Sequence, residues 1–404
     1  MTQSEKEINL IRELARKVAE IANEPRMEVI HRRWRDVIAL RKPDRPPVYC
    51  RPVGCWPELL PPESLVCREP WRRDLEFQFR QVLVKRDIDD DTPVEPFVAL
   101  PAVFDVEPQN TWGVQIGHHQ PDSASGAWAY DPPLKGESDF AKLQMPVFRF
   151  NSAKTREQHE KIGALLDGIL PVKITADVPL SATLGTAAAD LRGLEQMMLD
   201  MIAEPHLMHR LMAFLRDAVL AAMDEAETAG VLTPNNNGAM TCSDPIGAPE
   251  GGHVRFKNMW CMANSQEFDQ VSPAMWEEFC LNYQKPIFER YGLVGYGCCE
   301  NLTRKIDGVL TIPNLRIFTC SAWTDLALVL EKVGRRYCIM WRQKASDVVF
   351  PDDIAGIRKD LEEGARRLRG HYYQVVLREL QTLAGHPDRL HVWTALAKEA
   401  VSRY

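Results

Sequence analysis

The sequence lacks any run of about 20 apolar residues, the length that a membrane-spanning helix needs. It also lacks a basic excess, because its formal net charge is −7, so it carries no electrostatic footprint for nucleic acid. The opening segment MTQSEKEINLIRELARK is charged and helical in period, without the apolar core of a secretory signal. We therefore expect a cytoplasmic protein that binds neither a membrane nor nucleic acid.

Nucleotide-binding motifs are missing as well. No GxGxxG or Walker sequence follows a predicted strand, which argues against a Rossmann or P-loop fold. The 10 cysteines are expected to be reduced thiols, since nothing in the sequence indicates export. A chain of 404 residues can form one barrel-sized domain with extensions or two ordinary domains.

A regular alternation of strands and helices begins at Ser272. Predicted strands near 293–298, 314–320, 336–341 and 372–380 are separated by helices near 274–290, 324–333, 351–368 and 387–402. Parallel βαβ units in series favour a closed barrel over a doubly wound sheet. We predict an α/β fold of the TIM (β/α)8 barrel type over residues 46–404, with residues 1–45 as an N-terminal helical extension.

The stretch GYGCCENLTRKID, residues 295–307, places two thiols and a carboxylate at the end of a predicted strand. The carboxyl ends of the strands are where an α/β barrel carries its chemistry. Because side chains alternate along a strand, Cys298 and Glu300 converge and Cys299 points away, unless the strand has already ended. The alternative is that these cysteines are small buried hydrophobic residues.

Three segments resemble the uroporphyrinogen decarboxylase superfamily in the right order. They are PVYCRPVGCWPELLP (47–61), PAVFDVE (101–107) and EFDQVSPAMWEEFCLNYQKPIFERYG (267–292). The resemblance implies a TIM barrel and one of two activities. One branch of the superfamily decarboxylates a porphyrinogen without a cofactor, and the other moves methyl groups to or from the cobalt of a corrinoid on a separate protein.

Departures from the decarboxylase pattern favour the methyltransferase branch. Arg51 matches the first of two arginines that receive acidic substrate arms, but Cys55 stands where the second is expected. A tetrapyrrole with many carboxylates needs several cationic partners, so this loop argues against a porphyrinogen substrate. Asp105 matches the catalytic aspartate of that branch, and its alternative role is a helix N-cap or a buried hydrogen-bond acceptor.

Departures from the methyltransferase pattern concern the metal. The thiol-methylating enzymes bind zinc through His-x-Cys at this strand end and a further cysteine after the last strand. This chain has Tyr296 in place of the histidine and Glu379 after the last strand, so Cys298, Glu300 and Glu379 would form a different zinc site. If no metal is bound, Cys298 and Glu300 would line the donor pocket.

Five further polar or aromatic residues are candidates for substrate binding, each with an ordinary structural alternative such as a solvated loop, a turn or the core. They are His118, His119, Asn235, His253 and Trp260.

The resemblance implies a methyltransferase that moves a methyl group from a small methoxy or methylamine donor to a corrinoid. No Asp-x-His-x-x-Gly pattern occurs, so the cobalamin is expected on a partner protein. Asp105, Cys298 and Glu300 are the catalytic candidates, and they should meet Arg51 and Glu379 at one mouth of the barrel. The alternatives are a cofactor-independent decarboxylase of a non-porphyrin or porphyrinogen-like substrate and a noncatalytic ligand-binding barrel. The amphipathic N-terminal helices could also support a homo-oligomer.

Overall fold

The computed structural model describes residues 2–119 and 129–404 of the chain. Strands and helices alternate through most of these ranges. The strands are β1 (Val48–Cys50), β2 (Val98–Pro101), β3 (Phe104–Glu107), β4 (Gly117–His119), β5 (Ala129–Asp131), β6 (Val147–Phe150), β7 (Val172–Thr175), β8 (Trp260–Ala263), β9 (Leu293–Tyr296), β10 (Leu315–Cys320), β11 (Cys338–Trp341) and β12 (Tyr373–Leu377).

The helices vary from single turns to 25 residues. They are α1 (Gln3–Ala22), α2 (Pro25–Ile38), α3 (Trp56–Leu59), α4 (Pro70–Ile88), α5 (Ser152–Leu166), α6 (Leu184–Arg192), α7 (Leu194–Ala203), α8 (Pro205–Ala229), α9 (Pro273–Trp276), α10 (Asn282–Phe288), α11 (Ile306–Val309), α12 (Leu326–Val333), α13 (Ala345–Val349), α14 (Ala355–Leu368) and α15 (Arg389–Arg403).

Six parallel strands form one curled sheet in the order β1-β12-β11-β10-β9-β8. A separate parallel pair joins β2 to β7, and two antiparallel pairs join β3 to β6 and β4 to β5. The predicted alternation of helix and parallel strand after Ser272 is therefore confirmed. Backbone ladders between the described strands do not run the whole way round, so a closed eight-stranded ring is not formed by strand pairing alone.

β1 is an edge strand of the sheet: it pairs with β12 on one side, and on the other side its backbone N–H groups bond to carboxylates. Asp91 Oδ2 accepts from Val48 N at 2.7 Å, and Asp90 Oδ2 accepts from Cys50 N at 2.9 Å. Buried backbone N–H groups must find an acceptor, and these two side chains supply it. Asp90 and Asp91 therefore occupy the edge of β1 at which β2 would pair in a closed barrel.

At the other edge, an irregular segment links β8 to β7. Thr233 N donates to Ala176 O at 3.1 Å, just after β7. The Asn235 side chain accepts from Trp260 N at 2.8 Å and donates to Trp260 O at 2.9 Å. The Asn235 amide therefore replaces one rung of a β-ladder, and the main opening in the ring lies between β1 and β2.

The two faces of the sheet belong to different hydrophobic clusters. Phe318 and Cys320 pack with the crossover helices, whereas Ile317 shares a cluster with Trp34 of α2. Strand side chains alternate between faces, so α2 covers the face opposite the crossover helices. The Arg316 guanidinium also donates to Ile38 O at 3.1 Å, which fixes the end of α2 beneath the amino end of β10.

All ten cysteines lie in the described ranges and are free thiols. Among the helices that the structure describes, none is both long enough and apolar enough to cross a membrane.

Candidate functional site

Two thiols and one carboxylate meet beyond the carboxyl ends of β9 and β12. Cys298 Sγ lies 3.4 Å from Cys299 Sγ, and Cys299 Sγ lies 3.1 Å from Glu379 Oε1. β9 ends at Tyr296, so strand alternation no longer governs the cysteines. Gly297 makes the turn with a φ of +107°, a conformation that L side chains rarely adopt. We call Cys298, Cys299 and Glu379 the thiol-carboxylate cluster.

Arg342 fixes this cluster from the neighbouring strand β11. Its Nη1 donates to Glu379 Oε1 at 2.7 Å and to the Cys298 carbonyl at 2.6 Å, and the residue is buried. Glu379 itself has a φ of +61°, in the left-handed region. A residue other than glycine is held there only when its surroundings over-determine it, and such residues concentrate at functional sites.

The thiol-carboxylate cluster fits the donor set of a zinc ion. Its three ligand atoms all lie within 4.8 Å of one another. Two thiolates bound tetrahedrally to zinc at about 2.3 Å would lie about 3.8 Å apart, which is close to the observed separation of the sulfur atoms. Three protein ligands and an open fourth position are typical of a catalytic zinc site.

The electrostatics of the cluster favour a thiolate at Cys298. The hydrogen bond with Cys299 and the guanidinium charges of Arg378 and Arg342 lower the pKa of Cys298 to about 6. The same interaction with Cys298 raises the pKa of Cys299, as do burial and the Glu379 carboxylate. Only a thiolate is an effective metal ligand or nucleophile, so Cys298 is prepared for either role.

Two half-buried arginines stand beside the cluster without acidic partners. Arg51 follows β1 and Arg378 follows β12, and neither guanidinium forms an ion pair with a carboxylate in the described ranges. Burial and the neighbouring charge of Arg378 lower the pKa of Arg51. Burying like charges together is costly unless an anion joins them. This corner of the mouth is therefore suited to an anionic group.

Glu300, predicted as a metal ligand and catalytic group, does not join the cluster. It is buried, and its two carboxylate oxygens accept from Ser265 N and Cys298 N, each at 2.8 Å. These bonds tie the turn after β9 to the segment after β8. The structure instead brings Cys299 together with Cys298 and Glu379, because the strand ends before the cysteines.

A cleft opens between β1 and β2, where no ladder joins the two strands. Its volume is about 510 Å³, and its lining includes Arg51, which interacts electrostatically with Cys298. Aromatic side chains form much of its wall, namely Tyr49, Trp56, Phe79 and Phe97. Lys85 also lines it, with its ammonium 4.6 Å from the centre of the Tyr49 ring and paired with Asp90. Cavities of about 300–1,000 Å³ with apolar walls and few polar groups are typical of small-molecule sites.

Asp105, the predicted catalytic aspartate, lies on the antiparallel pair β3–β6 and is 54% exposed. Its carboxylate accepts from Lys154 Nζ and from Asn151 Nδ2, each at 2.7 Å. The hydrogen bond from Lys154, followed by that from Asn151, lowers the pKa of Asp105. No described contact brings it to the thiol-carboxylate cluster, so of the five residues predicted to converge, Asp105 stands apart.

Two of the predicted substrate-binding residues, Asn235 and Trp260, contact each other and have structural roles. Trp260 is only 3% exposed and its Nε1 donates to Ser243 Oγ at 3.1 Å, which makes it a core residue. Asn235 is committed to the Trp260 backbone. His253 is exposed in a segment that reaches the amino end of β9, since Gly292 N donates to Phe256 O at 3.2 Å. The predicted role of these three residues in substrate binding stays a prediction.

His118 and His119 lie in β4, but their side chains fall outside the described part of the structure. Their predicted role in substrate binding stays a prediction.

Sequence reasoning missed that Cys299 joins the thiol-carboxylate cluster, and it missed Arg342 and Arg378. The position of each arginine at or near the end of a predicted strand was an available signal, because barrel sites gather at strand ends. Their charge alone did not indicate that they face the thiols.

No protein-family model and no curated relative matches the chain. Among solved structures, a methyltransferase from Methanosarcina mazei is similar with a TM-score of 0.47 and 12% sequence identity, over 92% of this chain and 98% of that one. A likeness this distant carries no information about activity. Membership of the uroporphyrinogen decarboxylase superfamily stays a prediction from the sequence motifs.

Proposed function

We propose that this protein is a methyltransferase that moves a methyl group from a small methylated donor to the cobalt of a corrinoid on a partner protein. In this proposal the fold is a (β/α)8 barrel of the uroporphyrinogen decarboxylase type. The observation that carries the proposal is the thiol-carboxylate cluster, whose three ligand atoms lie within 4.8 Å of one another at two strand ends.

Each residue of the mouth has a part in this proposal. Cys298, Cys299 and Glu379 would hold a zinc ion with its fourth position open to the donor. Bound zinc would supply Lewis acidity to the leaving oxygen or nitrogen of the donor. Arg342 orients Glu379, and Arg51 with Arg378 would receive an anionic group of the donor.

The cleft between β1 and β2 favours a methoxy donor over a methylamine. Aromatic walls accept either a ring or a methylated ammonium group, since both interact well with π-faces. Arg51 lines the same cleft without a paired carboxylate in the described ranges, however, and its positive charge opposes a cationic donor. Lys85 is neutralised by Asp90, and burial raises the pKa of Glu95, the carboxyl group in the lining. The methyl group would leave the donor oxygen, which keeps the bonding electron pair and is then protonated by water.

The test is anaerobic incubation of the purified, zinc-loaded protein with cobalt(I) cobalamin and a panel of methoxy and methylamine donors. The spectrum of the cobalt is followed, and we expect loss of the cobalt(I) bands with at least one methoxy donor. Cys299→Ala should abolish the change. Cys320→Ala is the matched control, because Cys320 is a buried thiol at the end of β10 that packs with the crossover helices.

Two results would overturn this proposal. One is full methyl transfer by both Cys298→Ala and Cys299→Ala. The other is a cobalt spectrum that stays unchanged with every donor in the panel.

A decarboxylase is the second candidate, and the unpaired guanidinium groups of Arg51 and Arg378 favour it because they suit a carboxylate substrate. Release of CO2 from a panel of carboxylic acids, without corrinoid and after removal of metal by a chelator, would distinguish this activity. Arg51→Gln and Arg378→Gln should each lower it, whereas Cys299→Ala should leave it unchanged.

A further inference from the structure

A second cavity, of about 400 Å³, lies at the opposite end of the strands from the thiols. Its lining comes from the residues that precede β1 and β12, together with Arg335 after α12 and the end of α15. Because β1 and β12 are parallel neighbours, their amino ends share one pole of the sheet. None of the residues assigned to the proposed methyl transfer belongs to this cavity.

Five cationic side chains line this cavity, and two of them are neutralised. Arg45 is paired with Asp91 at 2.7 Å, and Arg403 is paired with Glu362 at 2.8 Å. The other three are Lys42, Arg335 and Arg369.

Lys42, Arg335 and Arg369 remain without an acidic partner. These three side chains are exposed, and none of them forms an ion pair with a carboxylate in the described ranges. Asp44, the acidic side chain in the lining, is bonded to Arg33 at 2.6 Å. Three positive charges therefore surround one cavity in a chain whose net charge is −7.

Tyrosine and histidine side chains complete the cavity. The Arg335 guanidinium lies 5.3 Å from the centre of the Tyr372 ring, and its Nη2 donates to the Tyr372 hydroxyl at 3.3 Å. These contacts hold one guanidinium in place without neutralising its charge. His371 Nδ1 is buried and has no hydrogen-bond partner in the described structure.

We propose that this cavity binds a small phosphorylated molecule that carries at least two negative charges. Arginine and lysine together bind phosphate groups well, because guanidinium forks match the phosphate oxygens and the ammonium adds a compact charge. A cleft lined by one sign of charge also concentrates counter-ions of the opposite sign. A volume of about 400 Å³ suits a metabolite rather than a macromolecule.

Isothermal titration calorimetry at constant ionic strength tests this proposal with three probes, which are inorganic phosphate, pyrophosphate and adenosine monophosphate. We expect saturable binding of at least one probe, while sodium acetate gives none. Arg369→Gln should weaken that binding by about tenfold or more, since a charge-assisted contact is lost. Lys42→Gln should weaken it as well.

Arg366→Gln is the matched control, because Arg366 is an exposed arginine of α14 outside the cavity. Tighter binding of adenosine monophosphate than of pyrophosphate would indicate that the tyrosine rings contact the base. Tighter binding of pyrophosphate would indicate that the site recognises phosphate groups alone. Absence of saturable binding for all three probes would overturn the proposal, as would equal loss in Arg366→Gln and Arg369→Gln.

The outcome is independent of the proposed methyl transfer. Cys299→Ala, which removes a residue of the other pole, should bind the probes as the unaltered protein does. Loss of probe binding in that variant, with its thermal unfolding unchanged, would contradict a separate site.

Discussion

Cys299 Sγ lies 3.1 Å from Glu379 Oε1, although the two residues are 80 positions apart in the chain. Their strands β9 and β12 are not neighbours in the sheet, since β10 and β11 lie between them. The two side chains meet because the curled sheet directs the carboxyl ends of its strands toward one mouth. This contact makes the two thiols and the carboxylate a candidate metal site.

Metal binding should depend on both thiols. We expect zinc-loaded, desalted protein to retain one zinc per chain, and Cys298→Ser and Cys299→Ser each to lose it, because a hydroxyl is a much poorer zinc ligand than a thiolate. Elemental analysis by mass spectrometry measures the stoichiometry. Cys320→Ala should retain zinc, and equal stoichiometry in all variants would show that the thiols hold no metal.

Alkylation of Cys298 in metal-free protein should follow a titration with its midpoint near pH 6. Because the pKa is lowered, the reactive thiolate forms as the pH rises through this value and is lost below it. Cys299→Ala removes the hydrogen bond that contributes most to the shift, so the midpoint should move toward the ordinary value of 9.0. Mass spectrometry of iodoacetamide-labelled peptides at a series of pH values measures it, and a midpoint that does not move would contradict the assigned cause.

Glu300→Gln should lower stability. The buried carboxylate accepts from two backbone N–H groups, and an amide must turn its NH2 toward one of them. A buried donor left unsatisfied costs about 1–3 kcal/mol, so the free energy of unfolding in urea should fall by about that amount. Glu363→Gln, an exposed position in α14, should leave it within experimental error. Unchanged stability in Glu300→Gln would remove the structural role assigned to this residue.

Gly297→Ala should disturb both the fold and the cluster. A Cβ at this position would lie 2.9 Å from Leu302 Cδ1 and from Thr319 Cβ, on a backbone with a φ of +107°. We expect a loss of about 1–3 kcal/mol in the free energy of unfolding and weaker zinc retention. Gly356→Ala in α14 has open space around it and should raise stability by about 0.4–1 kcal/mol. A stable, zinc-retaining Gly297→Ala would contradict the account of this turn.

Much of the architecture could be predicted because its causes are local. The helices and strands after Ser272 follow from hydrophobic periodicity, which acts over a few neighbouring residues. The strand-end positions of Cys298 and Glu379 follow from the same periodicity. These strand-end positions indicate where the functional site of a parallel α/β fold is expected.

Tertiary structure determines which side chains form the thiol-carboxylate cluster and where the ring of strands is open. Cys299 replaces Glu300 in the cluster because β9 stops at Tyr296, a boundary that depends on its pairing with β8 and β10. Asp91 occupies the open edge of β1, and Asn235 takes the place of a ladder rung beside β8, each by bonding to a strand distant in the sequence. Such side-chain contacts depend on how distant segments pack, and periodicity along the chain contains no record of that packing.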